Sequence, residues 1–170
     1  MKEYIKESCF IEAIISLPIN TFINTPKKTY VMTLKKKNDI SEIQEYPVFA
    51  YICNSIGETL DVRRFDTLED NDFHDAVIKY NAYRRLKNKN NFEEPFSSWF
   101  NDDEKLKFIP IEEFDKKKMW KIEGWWNEEE KIAIGLKKES NIMSITEFQD
   151  FIEQIAEQMN EYKEVLECLK

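Results

Sequence analysis

The run Cys9 to Leu17, CFIEAIISL, constrains this chain more than any other stretch, because it is almost continuously apolar and rich in isoleucine. A strand with one wet face alternates polar and apolar residues, whereas this one reads as a strand covered on both faces inside an α/β sheet. Pro18 stops it. Thr29 to Leu34 is a second β-branched and aromatic run that ends in Lys35, Lys36 and Lys37, as a strand leaving the core for solvent would. Between the two lies a polar turn, Asn20 to Lys28, with Asn20, Thr21, Asn24, Thr25, Lys27 and Lys28 but no carboxylate. Loops at the carboxyl ends of buried α/β strands are where ligands sit. Such a turn suits a phosphate or a nucleic-acid strand, and it equally suits an ordinary solvated connection.

Further strand signals follow. Val48 to Cys53 reads as a third strand, Ser55 to Gly57 as its turn, and Thr59 to Phe65 as a fourth, edge strand ending in Arg63 and Arg64. Those arginines read either as a charged edge that discourages strand addition or as a DNA contact. Asn38 to Pro47 is a polar loop with one helical turn around Ile40 and Ile43. From Phe73 to Leu86 the apolar residues Phe73, Ala76, Val77, Tyr80, Tyr83 and Leu86 recur at helical spacing, with Asn71 as N-cap and Asp72 in the first turn. Lys2 to Glu7 has the look of the last turns of a helix entering the first strand.

The pattern IEAIISLP, then TF-x-NT-x-x-KTY, then a hydrophobic strand ending in KKK, resembles the C-terminal part of N6-adenine DNA methyltransferases, in particular the modification subunit of type I restriction-modification systems and its fused relatives. VFAYICNSIGETLDVRRF and NDFHDAVIKYNAYR resemble the strand, turn and helix that follow, so the likeness covers residues 1–86. It implies a partial sheet like the C-terminal strands of a Rossmann-like methyltransferase. It also implies S-adenosylmethionine for the complete enzyme, held by a glycine-containing loop, and an Asn-Pro-Pro-aromatic motif for the flipped adenine. Neither motif is in this chain: Gly57, Gly124 and Gly135 are widely spaced and no two prolines are adjacent. The expectation is therefore the C-terminal section of a methyltransferase, inactive alone, with no catalytic or cofactor-binding residues of its own. Asn24, Lys27, Lys28, Arg63 and Arg64 are the DNA-facing candidates within a complex. The partners implied are the catalytic half, a specificity subunit, or both.

Charge divides the chain. Residues 1–91 carry a net charge of +1 and residues 92–170 one of −9, within a chain total of −8. An acidic total opposes free-standing DNA affinity, which depends on cations displacing counterions. The expected division is a methyltransferase-like part at 1–86, a linker at 87–107, and a Trp-rich segment with a long helix at 108–170. FIPIEEFDKKKMWKIEGWW reads as a strand, an acidic helix start and an aromatic group of Trp120, Trp125 and Trp126. Glu123 and Glu128 to Glu130 border the tryptophans, which favours a small core or protein interface over base stacking. Lys131 to Leu136 alternates in strand fashion.

The last element has the strongest helix signature: Ser144 and Glu147 form a capping box, Met143 staples to Phe148, and Phe148, Ile152, Ile155, Met159, Tyr162, Leu166 and Leu169 step by 4 and 3 in turn. That heptad seam, about 37 Å long at 1.5 Å per residue, requires a partner helix, including one from a second copy. Cys9, Cys53 and Cys168 are distant and odd in number, which fits reduced thiols in a cytoplasmic protein. The single histidine, His74, reads as a surface residue, and no metal-ligand, Ser-His-Asp or Cys-His set is present. No apolar run is long enough to span a membrane. A free-standing acidic bacterial or phage interaction protein, inhibitor-like and docking through its helical tail, is the competing expectation.

Overall fold

The computed structural model describes residues 2–67, 69–87, 100, 103–117 and 120–138, with 148, 149, 152, 153 and 155 in the tail. The chain forms two compact units, Met1–Lys137 and Lys138–Lys170. The first is an α/β layer structure. In chain order its elements are helix α1 (Lys2–Ser8), strands β1 (Cys9–Ser16), β2 (Tyr30–Lys36) and β3 (Val48–Ile52), helix α2 (Asp72–Lys87), strand β4 (Leu106–Ile109), helix α3 (Ile111–Lys117), a 3₁₀ turn (Ile122–Trp125) and helix α4 (Glu128–Ala133).

The sheet order is β2-β1-β3-β4. β1 pairs antiparallel with β2 and parallel with β3, and β3 pairs antiparallel with β4. β1 is thus interior, and from Phe10 to Ser16 every residue is buried. This is the environment its isoleucine run demands. β2 is an edge strand whose exposure rises toward Lys36, as its lysine ending requires.

Each face of the sheet has its own core. Ala13 and Ile15 of β1 and Leu17 just after it, with Phe49, Tyr51 and Cys53, pack against Ala76 and Tyr83 of α2. Ile11 and Ile14 with Val48, Ala50 and Ile52 pack against Phe114, Ile122, Trp126 and Ile134. The tryptophan group therefore builds a core layer, with Trp126 nearly fully buried and its indole N–H donating to the Glu104 carbonyl at 2.7 Å.

A β-bulge interrupts β1. Ile11 faces Leu34 and Ala13 faces Thr33, leaving Glu12 without a register partner. The extra residue places Glu12 on the same side as Ala13, under α2. There Tyr80 donates to its carboxylate at 2.7 Å and Lys87 forms a buried ion pair with it. Burial opposes the Glu12 charge, and the Lys87 and Tyr80 hydrogen bonds outweigh it, holding the carboxyl below its ordinary range.

Three expectations are corrected. Thr59 to Phe65 is no strand: a single bridge between Glu58 and Asp66 closes it as a loop, and the Asp61 carboxylate accepts the Arg63 and Arg64 backbone N–H groups that a strand would offer a neighbour. Lys131 to Leu136 is the end of α4 and its cap, because Asn127 and Glu130 form a capping box that starts a helix and Gly135, at φ 74°, ends it. Leu106 and Lys107, read as linker, belong to β4, so the charge step near residue 91 falls inside the sequence span of the first unit.

In the tail, Phe148, Gln149, Ile152, Glu153 and Ile155 all lie in helix, and Phe148, Ile152 and Ile155 are exposed. Met143, Ser144, Glu147, Met159, Tyr162, Leu166, Leu169 and Cys168 lie outside the described residues, as does most of the 87–107 span. No helix among the described residues is long and apolar enough to cross a membrane.

Candidate nucleic-acid interface

β1 and β3 run parallel, so their carboxyl ends and the turns that follow lie at one end of the sheet. The turn after β1 is closed at its base by the Leu17 N–H donating to the Thr29 carbonyl at 3.0 Å. Within it the Thr21 hydroxyl donates to the Pro18 carbonyl at 2.7 Å. A tight turn, with the Thr25 N–H donating to the Phe22 carbonyl at 2.9 Å, places Ile23 and Asn24 at its tip. Asn20 takes the left-handed conformation at φ 64°, which asparagine tolerates.

The loop after β3 meets this turn through one side chain. The Arg64 guanidinium donates to the carbonyls of Asn20 and Thr21, at 2.5 and 3.0 Å, and of Thr59 at 3.3 Å. Residues 57–67 begin at Gly57, whose φ of 79° suits glycine. Asn71 packs against it and also caps α2, its Oδ1 accepting the His74 N–H at 2.9 Å. Asp72 in turn accepts the Asn54 N–H at 2.8 Å and pairs with Lys105 at 2.7 Å.

The five candidate residues thus reach the same end of the sheet, but in different states. Asn24, Lys27 and Arg63 are exposed. Arg64 spends its hydrogen bonds on the two loops. Lys28 is half-buried and lies 3.5 Å from the Glu123 carboxylate. Glu123 also accepts the Ser16 hydroxyl at 2.5 Å and the Tyr30 hydroxyl at 2.9 Å. Burial would raise the Glu123 pKa; the Ser16, backbone and Tyr30 hydrogen bonds and the Lys28 charge outweigh it and hold the carboxyl low. Lys28, Tyr30 and Glu123 line an open groove with Glu128, Lys131, Leu136 and Lys137. Sequence reasoning missed this cluster because Ser16 and Glu123 are 107 residues apart. The polar ending of an otherwise apolar strand, Ser16, was its only signal.

Of the two loops, the second carries the acidic side chains, while Glu123, beside Lys28, comes from the 3₁₀ turn. Glu58, Asp61, Asp66, Glu69 and Asp70 are exposed on the second loop, while residues 17–29 carry none. Favourable ground for a polyanion is therefore the first turn. His74 is exposed, and Cys53 is buried with its thiol pushed up to about 12, chiefly by burial, so neither is poised for chemistry. No group of three or more metal-ligating side chains occurs among the described residues.

Residues 1–104 match the N-6 DNA Methylase family. The chain belongs to that family. No curated protein and no solved structure matches it. Family membership implies S-adenosylmethionine in the full enzyme. The residues at the strand ends do not fit that group: the turn after β1 has no glycine, and the space beside Gly57 is filled by Asn71, where an added Cβ would lie 2.6 Å from its amide nitrogen.

Proposed function

We propose that this chain is the C-terminal section of an adenine-specific DNA methyltransferase of a restriction-modification system. It contributes DNA-facing wall and partner docking, while the cofactor loop and the Asn-Pro-Pro-aromatic motif come from a catalytic half. Family membership supports the reaction class. The observation that carries the DNA-facing role is the carboxylate-free turn 17–29, held at the carboxyl end of a buried interior strand with Asn24 and Lys27 exposed. Lys27 and Arg63 are the phosphate-contacting cations in this reading, and Lys28 and Arg64 position the turn. The seam of Phe148, Ile152, Ile155, Met159, Tyr162, Leu166 and Leu169 docks a specificity or partner subunit in the cytoplasm.

Adenine methylation in a duplex requires the base to leave the stack, and the pocket that receives it belongs to the catalytic half. The test is methylation and DNA binding by the reconstituted enzyme. Lys27→Glu with Arg63→Glu is expected to weaken DNA binding and to make it less salt-dependent, the slope falling by about one for each phosphate no longer neutralised. Unchanged binding and methylation would overturn the DNA-facing role. Cofactor binding measured calorimetrically on the isolated chain would overturn the assignment of that site to the catalytic half.

A further inference from the structure

The connection 17–29 is long for one that joins antiparallel neighbours, which are ordinarily linked by about 2–5 residues. Each further residue held in one conformation costs entropy, so a connection of that length stays ordered only where side chains hold it as well. Its mouth is the cross-strand pair Ser16 and Tyr30, the last register partners of β1 and β2 before the turn. Beyond them the ladder continues with the Leu17 N–H donating to the Thr29 carbonyl at 3.0 Å.

One carboxylate spans that mouth. Glu123 Oε1 accepts the Ser16 hydroxyl at 2.5 Å and Oε2 accepts the Tyr30 hydroxyl at 2.9 Å, so each oxygen holds one strand. Lys28, inside the turn, lies 3.5 Å from Oε1. Ser16 is fully buried, and Glu123 satisfies its hydroxyl. The carboxylate is itself fixed in place, because Ile122 before it and Trp126 after it are buried in the core layer on that face of the sheet. The 3₁₀ turn that carries it lies beyond residue 104, where the family match ends.

Resting on the proposed DNA-facing role, we infer that Glu123 is a positioning residue, which clamps both ends of the turn and so holds Lys27 where it meets the phosphates. The stretch that follows the family match thereby supplies part of the DNA-facing wall. A carboxylate that merely masked Lys28 would oppose DNA binding, so clamp and mask predict opposite signs.

Glu123→Gln tests the clamp by amide exchange in the full chain and by DNA binding in the reconstituted enzyme. The glutamine amide nitrogen donates and does not accept, so one of the two hydroxyls loses its partner. Exchange at the Leu17 amide is expected to accelerate while Ala50, in the interior strand β3, keeps its rate. DNA affinity is expected to fall by about tenfold, the scale of one hydrogen bond to a charged group, with no steeper salt dependence. Tyr30→Phe should give a smaller loss of the same sign, and it decides the matter if Glu123→Gln does not fold. Unchanged exchange at Leu17, or equal acceleration at Ala50, overturns the clamp. Tighter DNA binding, with a salt slope steeper by about one phosphate, shows that Glu123 masks Lys28 and overturns it too. Faster exchange at Leu17 with DNA binding unchanged overturns the positioning role alone. If Lys27→Glu with Arg63→Glu is equally silent, the DNA-facing role falls with it.

Discussion

The guanidinium of Arg64 donates to the carbonyl of Asn20 at 2.5 Å, joining two turns that lie 44 residues apart in the chain. Arg64 is itself left-handed, at φ 53°, so the contact holds a strained backbone in place. Arg64→Ala keeps the strain and loses the clasp, and should cost about 1 kcal/mol by urea unfolding, the ordinary size of a hydrogen bond contribution. Arg64→Gly relieves the strain, worth about 1–2 kcal/mol for an L-residue, and should be the milder change. In both variants amide exchange at Thr25 should accelerate, which separates loosening of the turn from global destabilisation.

Glu123 gives the chain an acid-sensitive contact. Its carboxyl is held low in the fold, so the stability it contributes is fully present above the unfolded value of about 4.3. It drains away as pH falls through the lower folded value. Between about pH 5 and 3, Glu123→Gln should flatten the dependence of the denaturation midpoint on pH. Tyr30→Phe should flatten it partly, by removing one of the hydrogen bonds that favour the anion.

The Glu12 and Lys87 pair is buried on both sides. Breaking such a pair strands a charge and costs about 3–5 kcal/mol, whereas replacing both members with apolar residues is near neutral. Glu12→Leu and Lys87→Met should each destabilise strongly in chemical denaturation. Their combination should recover most of the loss, a coupling that a double-mutant cycle measures directly.

Gly57→Ala should be destabilising by about 2 kcal/mol, combining left-handed strain with disturbance of a helix cap. The new methyl would meet Asn71, which would have to withdraw from the His74 N–H. In thermal unfolding the double variant Gly57→Ala with Asn71→Ala should lose less than the sum of the two single changes.

The parts legible in the sequence were those whose signal is local and periodic. The isoleucine run announced β1 as covered on both faces, the lysine ending announced that β2 leaves the core for solvent, and Asn71 with the spacing from Phe73 to Leu86 announced α2. Misreadings arose where a short polar side chain overrides an apolar pattern. KIAIGL alternates, but the cap at Asn127 had already started a helix; VRRF has strand composition, but Asp61 captures its backbone donors. The candidate surface was half legible. Its exposed members, Asn24, Lys27 and Arg63, are conspicuous in sequence. The neutralisation of Lys28 by Glu123 and the use of Arg64 as a clasp depend on residues brought together only by folding.

The bulge in β1 leaves Glu12 as a residue the hydrogen-bonding ladder does not count. A chain lacking it could still zip Ile11 and Ala13 into continuous pairing. What would vanish is the tether from the strand to the final turn of α2, because Lys87 would have no counter-ion. The single surplus position in the strand is thus the one that fastens the helix above it.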